Sequence, residues 1–123
     1  MTINILVVDD SVIMRMIIRK TIESFCIRRA KIYEASNGRE GLEILAERPV
    51  DLLLLDVNMP VMDGIEMLIT IRRMAKTREL RVVMISTENH HDLVGQLSQE
   101  NTEFLQKPFA PESLIKKLSK NFL

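Results

Sequence analysis

The sequence has almost none of the features that mark secreted, disulfide-bonded or membrane-spanning proteins. Its 123 residues include a single cysteine, Cys26, so no internal disulfide can form. No apolar run approaches the roughly 20 residues that a transmembrane helix needs. The first residues, Met1 to Asn4, lack the charged region of a signal peptide. We therefore expect a cytoplasmic protein with no membrane partner.

An excess of charge of one sign is also missing, because 17 lysine and arginine residues balance 17 aspartate and glutamate residues. A basic surface that binds a phosphate backbone is therefore not expected, and we predict no direct contact with nucleic acid. Tryptophan is absent, whereas eight methionines are present and suit the adaptable filling of a core. The length suffices for one domain with one core, and we predict a single domain over residues 1–123.

Short apolar runs alternate with amphipathic segments along the whole chain. Five segments are predicted to be strands, at residues 3–8, 31–35, 51–55, 81–86 and 103–106, and the runs at 3–8 and 51–55 have the pattern of buried strands. Five segments have helical periodicity, at residues 11–25, 39–47, 65–74, 92–98 and 111–118. Because each connection is a short crossover, we predict the α/β class, with a doubly wound, five-stranded parallel sheet and five helices.

The first predicted helix has an apolar stripe at helical spacing, which we expect to face the core. The stripe comprises Met14, Ile17, Ile18, Ile22 and Phe25. Two further apolar residues, Ile13 and Met16, fall outside the stripe, near Asp10. Arg15 and Arg19 also lie away from the stripe.

Polar side chains stand where four of the predicted strands end. Asp9 and Asp10 follow the first strand, Asp56 the third, and Lys107 the fifth, while Ser86 closes the fourth. The carboxyl ends of parallel strands meet at one edge of the sheet, which is where open α/β sheets bind ligands. We therefore expect these side chains to lie close together.

Three carboxylates at one site need a compensating partner. A like-charged pair at ~4 Å costs about 4 kcal/mol at an effective dielectric constant near 20. Such a group either raises its pKa values or binds a cation, and oxygen ligands without histidine or cysteine suit Mg²⁺, with Mn²⁺ as a possible substitute. A carboxylate nucleophile beside a cation, a lysine and a hydroxyl is typical of phosphoryl transfer.

The motifs that carry these residues resemble the receiver domain of two-component response regulators. They are Val7-Val8-Asp9-Asp10-Ser11, Leu55-Asp56-Val57-Asn58-Met59-Pro60-Val61-Met62-Asp63-Gly64, Ser86 and Lys107-Pro108-Phe109. The resemblance spans the whole chain and implies a flavodoxin-like sheet with strand order 2-1-3-4-5. It also implies a stand-alone, monomeric regulator of the chemotaxis type without an output domain.

The resemblance implies a role for each residue at the site. Asp56 would be the phosphoacceptor, phosphorylated by a histidine kinase or a histidine phosphotransfer protein. Asp10, Asp56 and the backbone carbonyl of Asn58 would hold Mg²⁺, and Asp9 would act through metal-bound water. Lys107 would pair with the phosphoryl group, and its peptide bond to the following proline would be cis.

Two further residues would form the switch that the resemblance implies. The Ser86 hydroxyl would bind a phosphoryl oxygen, and the aromatic side chain of Phe104 would turn inward as the Ser86 loop moves. This motion would change the face formed by the fourth helix, the fifth strand and the fifth helix, the 4-5-5 face, where a downstream target protein would bind.

Phosphate lifetime and partner choice are tied to four other positions. Asn58 and Glu88 would flank the path of the attacking water, and this pair predicts a short-lived phosphorylated state. Ile13 and Met16 would dock the helices of the phosphodonor.

Two alternative functions remain open at the level of sequence. One is a phosphorelay intermediate that passes phosphate between histidines. The other is a phosphatase of the haloacid-dehalogenase type, although such enzymes usually need a second aspartate where this chain has Asn58. We expect a phosphoacceptor that promotes its own phosphorylation and dephosphorylation rather than an enzyme.

Overall fold

The computed structural model of the protein describes residues 2–25, 29–87 and 101–122. The strands are β1 (Thr2–Val8), β2 (Arg29–Ala35), β3 (Leu52–Asp56), β4 (Arg81–Ser86) and β5 (Thr102–Gln106). The helices in the described ranges are α1 (Val12–Phe25), α2 (Gly38–Glu47), α3 (Gly64–Arg73) and α4 (Pro111–Phe122). The predicted helix at residues 92–98 lies outside the described residues, so α4 corresponds to the predicted fifth helix.

All five strands join one parallel sheet in the order β2-β1-β3-β4-β5, which confirms the predicted fold class and strand order. The predicted bounds of β4 agree with the structure, whereas β3 continues through Asp56. Helix α4 also runs four residues beyond its predicted end at residue 118. None of the helices in the described part of the chain is long and apolar enough to cross a membrane.

The sheet separates two apolar cores, because successive side chains of a strand point to opposite faces. In β3, Leu52 and Leu54 pack in the core covered by α1 and α4, and Leu53 and Leu55 pack in the core covered by α2 and α3. All four leucines are at most 1% exposed. This burial on both sides explains why β3 is an uninterrupted apolar run, and it fixes Asp56 at the end of a strand buried on both faces.

Helix α1 departs from the predicted core-facing stripe at two positions. Ile18 and Ile22 are buried, but Ile17 and Phe25 are 46% and 50% exposed. Ile17 lies about 100° around the helix from Ile18, and a helix that packs on a single sheet buries only one narrow stripe. Phe25 lies on the correct side but is the last residue of the helix, and half of its surface is exposed.

The loop from β3 to α3 turns back tightly under the end of β3. The backbone N–H of Gly64 donates to the Val57 carbonyl at 2.9 Å. A Cβ atom at Gly64 would lie 2.3 Å from the Asp56 carbonyl oxygen, so only glycine fits there. Before this contact, Met62 N–H donates to the Pro60 carbonyl at 2.8 Å.

Val61, between Pro60 and Met62, has a backbone φ of 70°. Together with the hydrogen bond that spans it, this value defines a γ-turn of the rarer, strained form. Positive φ is particularly unfavourable for a β-branched residue. Val61 is 72% exposed, so little burial compensates for the strain.

We expect Val61→Gly to raise the free energy of unfolding by about 1 kcal/mol, because relief of the strained φ exceeds the entropic cost of glycine. Urea unfolding of both proteins measures the change. Val61→Ala is the control, and it should gain much less because alanine keeps a Cβ atom. A Val61→Gly variant less stable than the wild type would contradict the assignment of strain.

Candidate functional site

Three carboxylates meet at the carboxyl edge of the sheet. Asp9 follows β1, where its backbone N–H donates to the Ala35 carbonyl at 3.1 Å, and Asp56 closes β3. Asp9, Asp10 and Asp56 each offer one carboxylate oxygen, and these three atoms lie within 4.8 Å of one another. Asp9 and Asp56 are only 2% and 5% exposed, whereas Asp10 is exposed to solvent. The cluster therefore opens to solvent on the side of Asp10.

Lys107 reaches this cluster from the end of β5. Its Nζ atom lies 3.3 Å from Asp9 Oδ2 and 3.3 Å from Asp56 Oδ1. Its backbone N–H donates to the Ser86 carbonyl at 2.7 Å, and its peptide bond to Pro108 is cis. The lysine thus bridges two of the three carboxylates across the sheet, from a position 51 residues away from Asp56 in the chain.

The Asp56 carboxyl has a pKa above its ordinary value. Burial is the largest cause, and the neighbouring Asp9 charge adds to it, whereas the Lys107 ammonium acts in the opposite direction. One lysine lies beside three carboxyl groups at this cluster, so their mutual repulsion is only partly offset. A further cation at this position would reduce that repulsion.

The donor set fits a divalent cation that prefers oxygen. The cluster contains carboxylates alone, without histidine or cysteine, and Mg²⁺ takes such ligands while retaining several waters. Asp10 and Asp56 would hold the ion, and Asp9 lies close enough to act through a bound water. Asn58, whose backbone carbonyl is the other predicted ligand, lies two residues beyond Asp56 and is exposed.

The other predicted site residues are distributed around this edge. Ser86 is fully buried at the end of β4. Phe104, on β5, pairs with Met84 of β4 and is partly buried against the core under α2 and α3. Ile13 and Met16 are 71% and 49% exposed on α1. Glu88 lies outside the described residues.

Sequence reasoning missed one residue that contacts the site. Arg15 was assigned only to the side of α1 away from the core, but its Nη1 atom donates to the Asp9 carbonyl and its Nε atom donates to Glu34. The sequence did contain a signal for this contact. Arg15 and Arg19 are four residues apart and therefore lie on one helix face, and the following strand carries Glu34 as a possible partner.

Because the folded state raises the pKa of Asp56, ionisation of this carboxyl opposes folding. This cost in the free energy of unfolding is fully present at pH values above the folded-state pKa. It decreases as the pH falls from the folded-state pKa towards the unfolded-state pKa. We expect Asp56→Asn to be more stable than the wild type at pH 8 in EDTA, with the difference shrinking towards pH 4. Urea unfolding across this range measures it. Asp51→Asn, at the opposite edge of the sheet, should give no such gain, and a pH-independent Asp56→Asn difference would contradict the electrostatic explanation.

Comparison with known proteins gives the same result at the levels of sequence and structure. Residues 5–119 match the model of the family described as response regulator receiver domain. The nitrate/nitrite response regulator protein NarL of Escherichia coli is 37% identical over 93% of this chain, although the chain spans only about half (52%) of its length. A chemotaxis protein CheY homolog of Campylobacter jejuni is 33% identical, covering 93% of this chain and 88% of the homolog.

A solved structure agrees with these matches. The chemotaxis response regulator CheY4 of Vibrio cholerae superposes with a TM-score of 0.85 and 29% identity, covering 99% of this chain and all of that one. These matches favour the receiver interpretation over the haloacid-dehalogenase alternative. With a family match over nearly the whole chain and the strand order and acidic edge described above, the protein belongs to the response regulator receiver domain family.

Proposed function

We propose that this chain is a response regulator that carries a phosphoryl group on Asp56. The observation that carries the proposal is the position of Lys107, whose ammonium lies 3.3 Å from both the Asp9 and the Asp56 carboxylates. A lysine so placed attracts the buried Asp56 carboxylate and lies where transferred phosphoryl oxygens would come to rest.

In the transfer step, an Asp56 carboxylate oxygen attacks the phosphorus of a phosphohistidine. The new oxygen–phosphorus bond forms as the phosphorus–nitrogen bond breaks, and the histidine nitrogen leaves with the electron pair and takes up a proton. Burial removes water from the Asp56 carboxylate, and Lys107 stabilises charge on the phosphoryl oxygens. Bound Mg²⁺ would supply further neutralisation of those oxygens.

Signal output would begin at Ser86 and Phe104. Ser86 ends β4, next to the strand that carries Asp56, and the register places Phe104 one strand further along the sheet. A phosphoryl group that drew the Ser86 hydroxyl towards it would change the space available to Phe104. Phe104 is only partly buried, so its side chain has room to change rotamer at the face used by a target protein.

The similarity to chemotaxis regulators that match over most of their own length supports an output by protein binding. We therefore propose a target protein at the 4-5-5 face and control of motility as the process. Asn58 is exposed beside Asp56, which supports its proposed part, with Glu88, in setting the lifetime of the phosphorylated state.

The phosphodonor would dock on α1, which starts two residues after Asp10. Five of its apolar side chains are between 46% and 71% exposed, and four of them occupy the half of the helix nearest the acidic cluster: Val12, Ile13, Met16 and Ile17. Exposed apolar side chains grouped beside a reactive carboxylate are suited to bind the helices of a kinase or phosphotransfer protein.

Asp56→Asn should abolish phosphorylation, because an amide oxygen is not a nucleophile of comparable strength. Incubation with a small acyl phosphate and Mg²⁺, followed by intact-protein mass spectrometry, measures phosphoryl incorporation. The matched control is Asp51→Asn, which should be phosphorylated at the wild-type rate. Undiminished incorporation in Asp56→Asn would refute the proposed acceptor.

Ile13→Asp should slow transfer from the protein phosphodonor by about tenfold or more, the effect of losing one interface anchor. Transfer from a small acyl phosphate should keep its rate, since Ile13 would not contact that donor. Phe25→Asp is the control, because Phe25 is similarly exposed but lies about 18 Å further along α1. Equally slow phosphotransfer to Ile13→Asp from both donors would contradict the docking proposal.

A further inference from the structure

Arg15 joins the acidic edge to the neighbouring strand. It is the fourth residue of α1, and its side chain is 15% exposed. The Nη1 atom donates to the backbone carbonyl of Asp9, and the Nε atom donates to Glu34 Oε1 at 3.0 Å. The guanidinium is planar and presents its donors in a fixed fork, so a hydrogen bond on each side holds it in one orientation.

Glu34 is itself firmly held. Its second oxygen, Oε2, accepts hydrogen bonds from Arg19 Nε at 3.0 Å and Arg19 Nη2 at 2.7 Å. Burial tends to raise the pKa of Glu34, but the hydrogen bonds from Arg19 and Arg15 outweigh this and lower it. Glu34 therefore stays ionised at neutral pH and provides a fixed anion for Arg15.

The carbonyl that Arg15 binds belongs to the peptide unit between Asp9 and Asp10. The Asp9 side chain has its own supports, because Oδ1 accepts from Ser11 N–H at 2.9 Å and Oδ2 accepts from Lys107. Asp10 is exposed, so packing restrains its side chain little, and the position of its backbone limits where its carboxylate can reach. A rotation of this peptide would displace the Asp10 carboxylate from the other two.

We propose that Arg15, held by Glu34, is a positioning residue that orients the Asp9–Asp10 peptide for binding of the divalent cation. The proposal rests on the metal-dependent function proposed above. Because Glu34 offsets part of the guanidinium charge, Arg15 fixes the backbone while adding less positive charge beside the cation site than an unpaired arginine would.

Positioning and simple electrostatics predict opposite results. If Arg15 acted only as a nearby positive charge, its removal would tighten the binding of Mg²⁺. If Arg15 orients the ligand-bearing peptide, its removal weakens the binding, as the loss of residues that support metal ligands typically does by ~10–100-fold. The sign of the change therefore separates the two roles.

Isothermal titration calorimetry of Mg²⁺ into the full chain tests the proposal. We expect Arg15→Met to raise the dissociation constant at least about tenfold. Arg15→Lys should also raise it, because lysine keeps the charge but cannot bridge Glu34 and the Asp9 carbonyl with a rigid fork. Lys20→Met is the matched control, since it removes a cation from an exposed position on the same helix, and its affinity should stay at the wild-type value.

A second measurement uses phosphorylation by a small acyl phosphate as Mg²⁺ is raised. Arg15→Met should need more Mg²⁺ for its half-maximal rate but reach the wild-type rate at saturation. Far-UV circular dichroism checks the fold, and Arg15→Lys is used instead if Arg15→Met does not fold.

Two outcomes would contradict the proposal. Unchanged or tighter Mg²⁺ binding in Arg15→Lys overturns the positioning role alone. A wild-type chain that binds no Mg²⁺ overturns this role and the proposed metal-dependent function together.

Discussion

Repulsion among Asp9, Asp10 and Asp56 is the constraint on which the rest of the structure depends. Their oxygens lie within 4.8 Å of one another, and two of the three side chains are buried. Such a group is tolerated because the strands that carry it are buried on both faces and cannot relax apart without opening the apolar cores. Lys107 offsets part of the repulsion, and the remainder would favour the binding of a cation.

The same edge of the sheet connects the acidic cluster to the residues proposed to change on phosphorylation. Ser86 and Lys107 lie on adjacent strand ends and are joined by a backbone hydrogen bond, so a group bound at Asp56 would act on both. The opposite side of the site is bounded by α1, whose exposed apolar residues begin two positions after Asp10. In the proposed function, donor docking, phosphoryl transfer and output would occupy neighbouring surfaces of one small sheet, which would limit how far a signal has to travel.

Much of this arrangement follows from patterns that the sequence displays directly. Continuous apolar runs such as residues 52–55 identify strands covered on both faces, and polar residues after each run identify the functional edge. The ends of helices are harder to predict than their presence, because what the last turns pack against decides where a helix ends. Helix α4, which extends past its predicted end, is an example. Periodicity predicts that Ile17 and Phe25 face the core, but both are about half exposed. Periodicity alone does not show how wide a strip of the helix surface the sheet covers, or where the helix extends beyond the sheet.

The sequence by itself determined the fold class, the strand order through its family motifs, and the identity of the residues at the acidic edge. The fold class and the acidic edge depend on local periodicity and on the rule that parallel strands end together, whereas the strand order depends on the resemblance alone. The tertiary structure alone decided the positive φ of Val61 and the bridge by Lys107 between two specific carboxylate oxygens. It also decided the contact between Arg15 and the Asp9 carbonyl, because that contact requires α1 and β2 to be packed together before the guanidinium can reach both partners.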